Sequence, residues 1–302
     1  MKKVIARLGN GLGNQLFTYA AAYAFAKENN AKLYIDDESG FYKRYKYELH
    51  NFKISTPIVK KEYKFLGHVG RLKRRLIKKF DFKKRFFIED LDKEKLSHYN
   101  SNKFSYNFKD TLYFEGYFQS EKYFEKYKKK ILEEFNFKDH IVSEQSETII
   151  NNIKNSNSIS MHLRQEKFLK DENHRDLEKI NSKHLYNNID IINKGVEYFD
   201  KNLQNPLYFL WSNNFTNLKK FFPSNKFILM KENMNKDPAY DLYLMSLCKH
   251  FILSPSTLHY WGAYLSQNTS KICLAPKNIK NKSGYYGFSN NKDIKPTWWK
   301  DF

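Results

Sequence analysis

Short apolar runs and helical periodicities alternate along much of this chain. Lys3-Val4-Ile5-Ala6-Arg7 reads as a short strand that runs into glycines. A helix follows from about Gln15 to Asn29, rich in the small residues Ala20, Ala21, Ala22, Ala24 and Ala26, which let it pack closely on a sheet. Lys32-Leu33-Tyr34-Ile35 is a second strand, so the opening segment is one βαβ unit. From 40 to 110 aromatic and basic residues show no clean period. Leu112–Phe118 is a strand and turn, and 121–135 a helix with Tyr123, Phe124, Tyr127, Ile131 and Leu132 at helical spacing. Beyond Asn151 the alternation is regular. It predicts strands at Ile159–Leu163, Leu207–Trp211, Lys226–Met230, Phe251–Leu253 and Lys271–Ala275. Between them it predicts helices from a Ser182 cap to about Asn202, from Tyr240 to Cys248 and over 258–266.

Strands separated by helices in this order predict an α/β fold with mostly parallel sheets covered on both faces. The expected architecture is two Rossmann-like βα domains facing across a cleft. The N-terminal domain (1–150) carries the glycine loop. The C-terminal domain (151–302) ends in the Trp298-Trp299 tail, which packs back onto the body.

Composition narrows the classes. With 302 residues, 41% hydrophobic and 17% aromatic, the chain can bury a sizeable core, which excludes wholesale disorder. Two cysteines, Cys248 and Cys273, exclude a disulfide scaffold. No apolar run approaches the roughly 20 residues of a membrane span. The N-terminus lacks the about 7–15 apolar residues of a signal peptide. The expectation is a cytoplasmic protein with reduced thiols, peripheral at the inner face of the cytoplasmic membrane if it meets a membrane at all.

Charge adds a partner class. Lys and Arg number 53 against 33 Asp and Glu, a formal charge of +20. The stretch Arg71-Leu72-Lys73-Arg74-Arg75-Leu76-Ile77-Lys78-Lys79 is basic and partly amphipathic. It reads either as a solvated face or as a patch for an anionic membrane surface. No zinc-finger spacing or aromatic RNA-binding signature is present, so nucleic acid is not an expected partner.

Candidate chemistry starts at Gly9-Asn10-Gly11-Leu12-Gly13-Asn14-Gln15, between a strand and a helix. Glycines let backbone amides approach a phosphate, and the helix N-terminus carries partial positive charge. The dinucleotide pattern G-x-G-x-x-G fails: from Gly9 the sixth position is Asn14, and from Gly11 it is Leu16. Asp36 and Asp37, at the end of the second strand, keep a ribose-binding reading open from spacing alone, and a plain capped turn remains the structural alternative.

Four stretches, in order, carry a resemblance. Gly11-Leu12-Gly13-Asn14-Gln15-Leu16-Phe17-Thr18-Tyr19-Ala20 resembles the opening motif of the α1,2-fucosyltransferases of glycosyltransferase family 11. Gly116-Tyr117-Phe118-Gln119-Ser120-Glu121-Lys122-Tyr123-Phe124 resembles the family's G-Y-[WF]-Q-S-x-K-Y-F. Asp241–His250 resembles D-L-x-L-M-S-x-C-x-H, and Ser256–Leu265 resembles N-S-[ST]-F-S-W-W-G-A-x-L. Together they span nearly the whole chain and displace the dinucleotide reading.

The resemblance implies a glycosyltransferase-B fold, with 1–150 on the acceptor side and 151–302 binding the nucleotide-sugar donor, and inverting transfer of L-fucose from GDP-fucose to the 2-hydroxyl of a galactose-type sugar in a surface glycan, without a divalent metal or other cofactor. Without a metal, a fixed cation must meet the charge that grows on the departing diphosphate, and Arg suits this task. The family's H-x-R-R-x-D is matched by His162-Leu163-Arg164-Gln165-Glu166-Lys167. His162 and Arg164 align; the second Arg is Gln165, the closing Asp is Lys167, and Glu166 stands one place early. The implied donor-binding residues are Gly11, Gly13, Asn14, His162, Arg164, Asn213, Ser256 and Thr257, with Asn14 meeting the diphosphate from the facing domain. Where family members carry S-D-D, this chain has Ser212-Asn213-Asn214, which lacks the carboxylate that accepts from guanine N1 and N2. The general base stays open among Glu166, His162 and Asp36. Two alternatives also stay open: another GDP-deoxysugar as donor, or a non-catalytic glycan- or lipid-surface-binding protein.

Overall fold

A computed structural model describes residues 1–41, 45–80, 85–90, 97–142, 146–164, 177–216, 218–230, 237–276 and 293–302, with the side chains of 103 and 177–187 not described. The described chain forms two units, each built on a parallel sheet. The first comprises Met1–Lys138 with the described part of Phe288–Pro296. The second comprises the described parts of Asp139–Gly287, with Thr297–Phe302.

In the first unit, β1 (Lys3–Arg7) leads through the glycine loop into α1 (Leu12–Glu28) and β2 (Lys32–Asp36). Then come α2 (Gly67–Lys79), β3 (Phe86–Ile88), β4 (Thr111–Glu115) and α3 (Lys128–Glu134). The sheet order is β2-β1-β4-β3, all parallel, with Val4 opposite Leu33 on one side and Leu112 on the other. α1 is apolar nearly all round and is buried accordingly from Leu12 to Ala26, Asn14 excepted. Its Phe25 ring sits against Phe87 (centroids 4.6 Å), Phe114 (5.2 Å) and Phe104 (5.5 Å). Much of the aromatic surplus of the N-terminal half is thus core.

The second unit runs α4 (Glu147–Asn155), β5 (Asn157–Leu163), α5 (Leu177–Asn202), β6 (Pro206–Ser212), α6 (Leu218–Phe221) and β7 (Phe227–Leu229). It continues through α7 (Pro238–Leu247), β8 (His250–Ile252), α8 (Thr257–Leu265), β9 (Cys273–Ala275) and β10 (Lys300–Asp301). Its sheet order is β10-β9-β8-β5-β6-β7, again parallel. Ile159, Met161 and Leu163 of β5 enter one apolar cluster with Ile192, Phe199, Tyr208 and Leu210. The alternate residues Ser160 and His162 face α8: the Ser160 hydroxyl lies 3.0 Å from His259 Nε2, and the His162 and His259 rings are 5.9 Å apart. Cys248 and Cys273 are buried free thiols. The expected tail packing is present within this unit, with Trp299 against Tyr260 at 4.9 Å and β10 paired to β9.

Several details differ from the sequence reading. The helix expected over 121–135 is broken into 3-10 turns at Glu121–Tyr123 and Glu125–Tyr127, with α-helix only in α3. The backbone leaves helical geometry at Phe124 (φ −134°, ψ 5°), a ring buried against Phe17. The helix expected to start at Ser182 starts at Leu177, so Ser182 is not its cap. The aperiodic 40–110 stretch contains α2 and β3. The units divide at Lys138/Asp139 rather than 150/151, since α4 belongs with β5 and α7, and part of the tail returns to the first unit.

Candidate functional site

In the second sheet the strand connections leave in opposite directions from two adjacent central strands, β5 and β8. Loops diverge at such a point and leave a crevice beyond the carboxyl ends, where ligands of parallel α/β sheets bind. In the first sheet β4 is the last strand in chain order and lies beside β1, and a cavity opens beyond the carboxyl ends of that pair.

At the β5/β8 switch the register puts Leu163 opposite Ser212 of β6 and Met161 opposite Ile252 of β8. The strand ends therefore bring together His162 and Arg164, the 212–214 turn and the 254–257 turn. The 254–257 turn is tied to β5 because the Ser254 hydroxyl donates to the His162 carbonyl. The Ser212 hydroxyl likewise ties its own turn to the Leu163 carbonyl, at 2.6 Å. Arg164 is half-buried, one residue past β5. Ser256 caps α8: its hydroxyl accepts the His259 N–H at 3.3 Å, and Thr257 is the first helical residue. The first turn of α8 contains no acidic residue, so its positive end is uncompensated from within. His259 is fully buried, and burial together with its neighbour His162 holds its pKa well below the ordinary histidine value. It is a neutral buttress for His162. Asn213 is exposed on the turn after β6, and Glu166 lies outside the described residues.

One residue in this group carried no role in the sequence reading. Asp241, in the first turn of α7, is mostly buried, and its Oδ1 has no hydrogen-bond partner. Burial pushes its carboxyl up to about 7; the nearby Trp211 indole opposes the rise without an aligned hydrogen bond, and Asp237 adds to it. Trp211 ends two residues before Asn213. A lone acid inside the otherwise uncharged run Asp241–Cys248 was the available signal.

A cavity of about 280 Å³ beyond the carboxyl ends of β1 and β4 is bordered by Arg7, Asn10, Arg74, Lys78, Glu89, Glu115 and Tyr117 among others. Glu115 receives a forked Arg74 (Nε to Oε1 2.6 Å), with Lys78 at 3.4 Å and Arg7 at 3.9 Å. Burial alone would raise its pKa, but the Arg74 fork and the charges of Arg7 and Lys78 bring it below the usual carboxylate value. Glu89 accepts the N–H groups of Tyr117 (2.6 Å) and Phe118 (2.9 Å), and burial still pushes its pKa up. Gly116 is required here: a Cβ would stand 2.4 Å from Glu89 Cβ. Phe118 takes a left-handed φ of 49° and stacks on Phe114 at 4.2 Å, leaving Tyr117 outward at the cavity wall.

The glycine loop of the same unit is mostly explained by packing. A Cβ at Gly9 would meet the Gly40 carbonyl oxygen at 2.6 Å, whereas at Gly11 it would make only ordinary contact with Tyr45. Gly13 is buried in α1. The Asn14 side-chain oxygen accepts from Gln119 Nε2 at 2.9 Å, and Gln15 staples the loop to the Asn10 and Lys46 carbonyls. Ser120 and Lys122 of the second motif clasp Asp293. Asp36, a candidate base, has its carboxylate occupied by the N–H groups of Glu38 (3.1 Å) and Ser39 (2.9 Å) and by the Ser39 hydroxyl. It closes a turn, and both carboxylate oxygens are engaged there.

The family profile of glycosyl transferase family 11 matches residues 3–300. The chain belongs to glycosyl transferase family 11. Among curated family relatives, an alpha-1,2-colitosyltransferase of Escherichia coli is 28% identical over 287 residues, covering 91% of this chain and 92% of the relative. The O-antigen biosynthesis glycosyltransferase WbnK of Escherichia coli is 24% identical over 295 residues, covering 89% and 92%. Among solved structures, the fucosyltransferase NodZ from Bradyrhizobium superposes with a TM-score of 0.51 at 16% identity, covering 86% of this chain and 91% of NodZ. That likeness is one of fold, the glycosyltransferase-B type, and agrees with the two parallel-sheet units of this family 11 chain. Among the described residues, no helix is long and apolar enough to cross a membrane.

Proposed function

We propose that the chain is an inverting, metal-independent transferase that moves L-fucose from GDP-fucose to the 2-hydroxyl of a galactose-type residue in a surface glycan. The observation that carries this reading is the convergence of Arg164 and the uncompensated N-terminus of α8 at the β5/β8 switch of a family 11 chain. The acceptor oxygen attacks the anomeric carbon as the bond to the diphosphate breaks on the opposite face. The electron pair leaves with GDP, and the acceptor proton leaves to a base. Arg164 and the first-turn amides of α8, with Thr257, would meet the charge on the diphosphate in place of a metal ion. His162, braced by His259, and Glu166 remain the candidate bases.

Asp241 supplies the carboxylate that position 213 lacks: it can accept from guanine N1 and N2, and those donors would favour its ionised form. The cavity beyond β1 and β4 is assigned to the acceptor, with Tyr117 offering a ring to a sugar face and its charged groups addressing hydroxyls. A second reading keeps the reaction and exchanges the donor for another GDP-deoxysugar. The relative that is an alpha-1,2-colitosyltransferase favours it, as do Gln165, Lys167 and Asn213.

The test is release of GDP from a panel of GDP-deoxysugars, with a β-galactoside acceptor and a chelator present. The first reading expects GDP-fucose to turn over fastest, and the second expects another member of the panel. Loss of all turnover with chelator, or donor binding without turnover across many acceptors, overturns the proposed activity.

A further inference from the structure

We propose that α2 is a membrane-surface anchor that lies in the headgroup layer of an anionic bilayer. This inference rests on the helix itself and holds whichever donor or acceptor the enzyme uses. α2 has two distinct faces. The inner one is fixed: Gly70 lies so close to Phe65 that a Cβ would come within 2.4 Å of its backbone, Ile77 packs on the cluster around Phe65 and Tyr113, and Arg74 is forked on Glu115. The other face carries Val69, Leu72, Leu76 and the capping Phe80, which are 80%, 57%, 51% and 54% exposed. At 100° per residue these four fall on one stripe, turned well away from the inner face. Arg75 and Lys79 border the stripe on one side and Lys73 on the other, all exposed.

A water-facing helix would gain nothing from such a stripe, since burial of apolar surface is what stabilises amphipathic helices. The whole helix, Gly67–Lys79, contains no acidic residue, so charge complementarity selects the occupant. A second copy docking through this face about a two-fold axis would bring Lys73, Arg75 and Lys79 against their own images. A bilayer containing anionic lipid supplies an apolar layer for the stripe and negative headgroups for its borders. The inner face of the same helix delivers Arg74 and Lys78 to the cavity beyond β1 and β4, so the anchor is continuous with a cavity wall.

The experiment is co-sedimentation of the full chain with phosphatidylcholine vesicles, with and without phosphatidylglycerol, at low and raised salt. Binding is expected only with phosphatidylglycerol, weakening as salt screens the borders. Each Lys or Arg is expected to strengthen partitioning about fivefold, so Lys73→Gln/Arg75→Gln/Lys79→Gln should weaken it about a hundredfold. Leu72→Gln/Leu76→Gln should weaken it roughly tenfold or more. Both variants change exposed side chains, and unchanged thermal melting checks their fold. GDP-sugar turnover with a soluble acceptor should stay at the wild-type value in both, which separates failure of the anchor from failure of the proposed activity. No vesicle binding, or equal binding by wild type and both variants, overturns the proposal. So does a dimer that Leu72→Gln/Leu76→Gln dissolves, since a second copy would then cover the stripe.

Discussion

The guanidinium of Arg74 grips the carboxylate of Glu115 as a fork, one arm running from Nε to Oε1 at 2.6 Å. The pair joins α2 to the carboxyl end of β4, with Lys78 and Arg7 as further cations around one buried carboxylate. Removing that anion leaves Arg74 and Lys78 without their carboxylate, beside an Arg7 that keeps only its hydrogen bonds to Ser39. Glu115→Ala is expected to lower stability by about 3 kcal/mol, read as a lower urea midpoint. Arg74→Lys, which cannot reproduce the fork, is expected to raise the acceptor KM more than it changes the donor KM.

Arg164 has a narrower task. If its guanidinium meets charge that develops only as the diphosphate departs, Arg164→Ala should reduce kcat about 10²–10³-fold. GDP affinity should change far less. Steady-state rates with saturating donor, set beside GDP titration calorimetry, check the split, and a variant with full activity would remove Arg164 from the mechanism.

Asp241 yields a pH prediction of definite sign. Burial raises its folded-state carboxyl from 3.8 to about 7. Both folded and unfolded chains hold the proton below the lower value, so no stability is lost there. Between the two values the unfolded chain releases the proton and the folded chain keeps it, and the fold weakens by up to roughly 4 kcal/mol above the upper value. Asp241→Asn should therefore raise the melting temperature at alkaline pH and leave it unchanged in acid. If the carboxylate receives guanine donors, GDP affinity of the wild type should fall about tenfold for each pH unit below about 7, and the variant should bind weakly at every pH.

Asp36→Ala separates a turn from a catalyst. Losing an acceptor of two backbone N–H groups and a hydroxyl should cost about 1–2 kcal/mol, seen in thermal melting. The kcat and its pH profile should stay close to wild type. A collapse of kcat with an intact fold would return Asp36 to the list of bases.

Much of the second unit was legible because its strands are short, apolar and mostly separated by helices. The expected strand Leu207–Trp211 is found as Pro206–Ser212, and the expected helix over 258–266 as Thr257–Leu265. The first unit was harder. α2 is so basic that its period was visible only as a partly amphipathic run, and β3 is three residues long. Over 121–135 helical spacing misled, because Phe124 departs from the helix to reach a core that sequence spacing does not describe.

By itself the sequence determined the α/β class, the opening βαβ unit, most of the strands of the second unit, the family through four motifs, and His162 and Arg164 as neighbours at a strand end. Local periodicity and short-range spacing carry that information, because they depend on residues a few positions apart. Only the tertiary structure decided what each polar group is occupied with. Asp36 closes a turn, Asn14 is held by Gln119, Ser256 caps a helix, and Asp241 is stripped of water beside Trp211. The Asp36 and Ser256 bonds are local but depend on the exact backbone of their turns, whereas Gln119 and Trp211 reach Asn14 and Asp241 from distant parts of the chain, and parallel strand pairing brings such residues together without leaving a local trace.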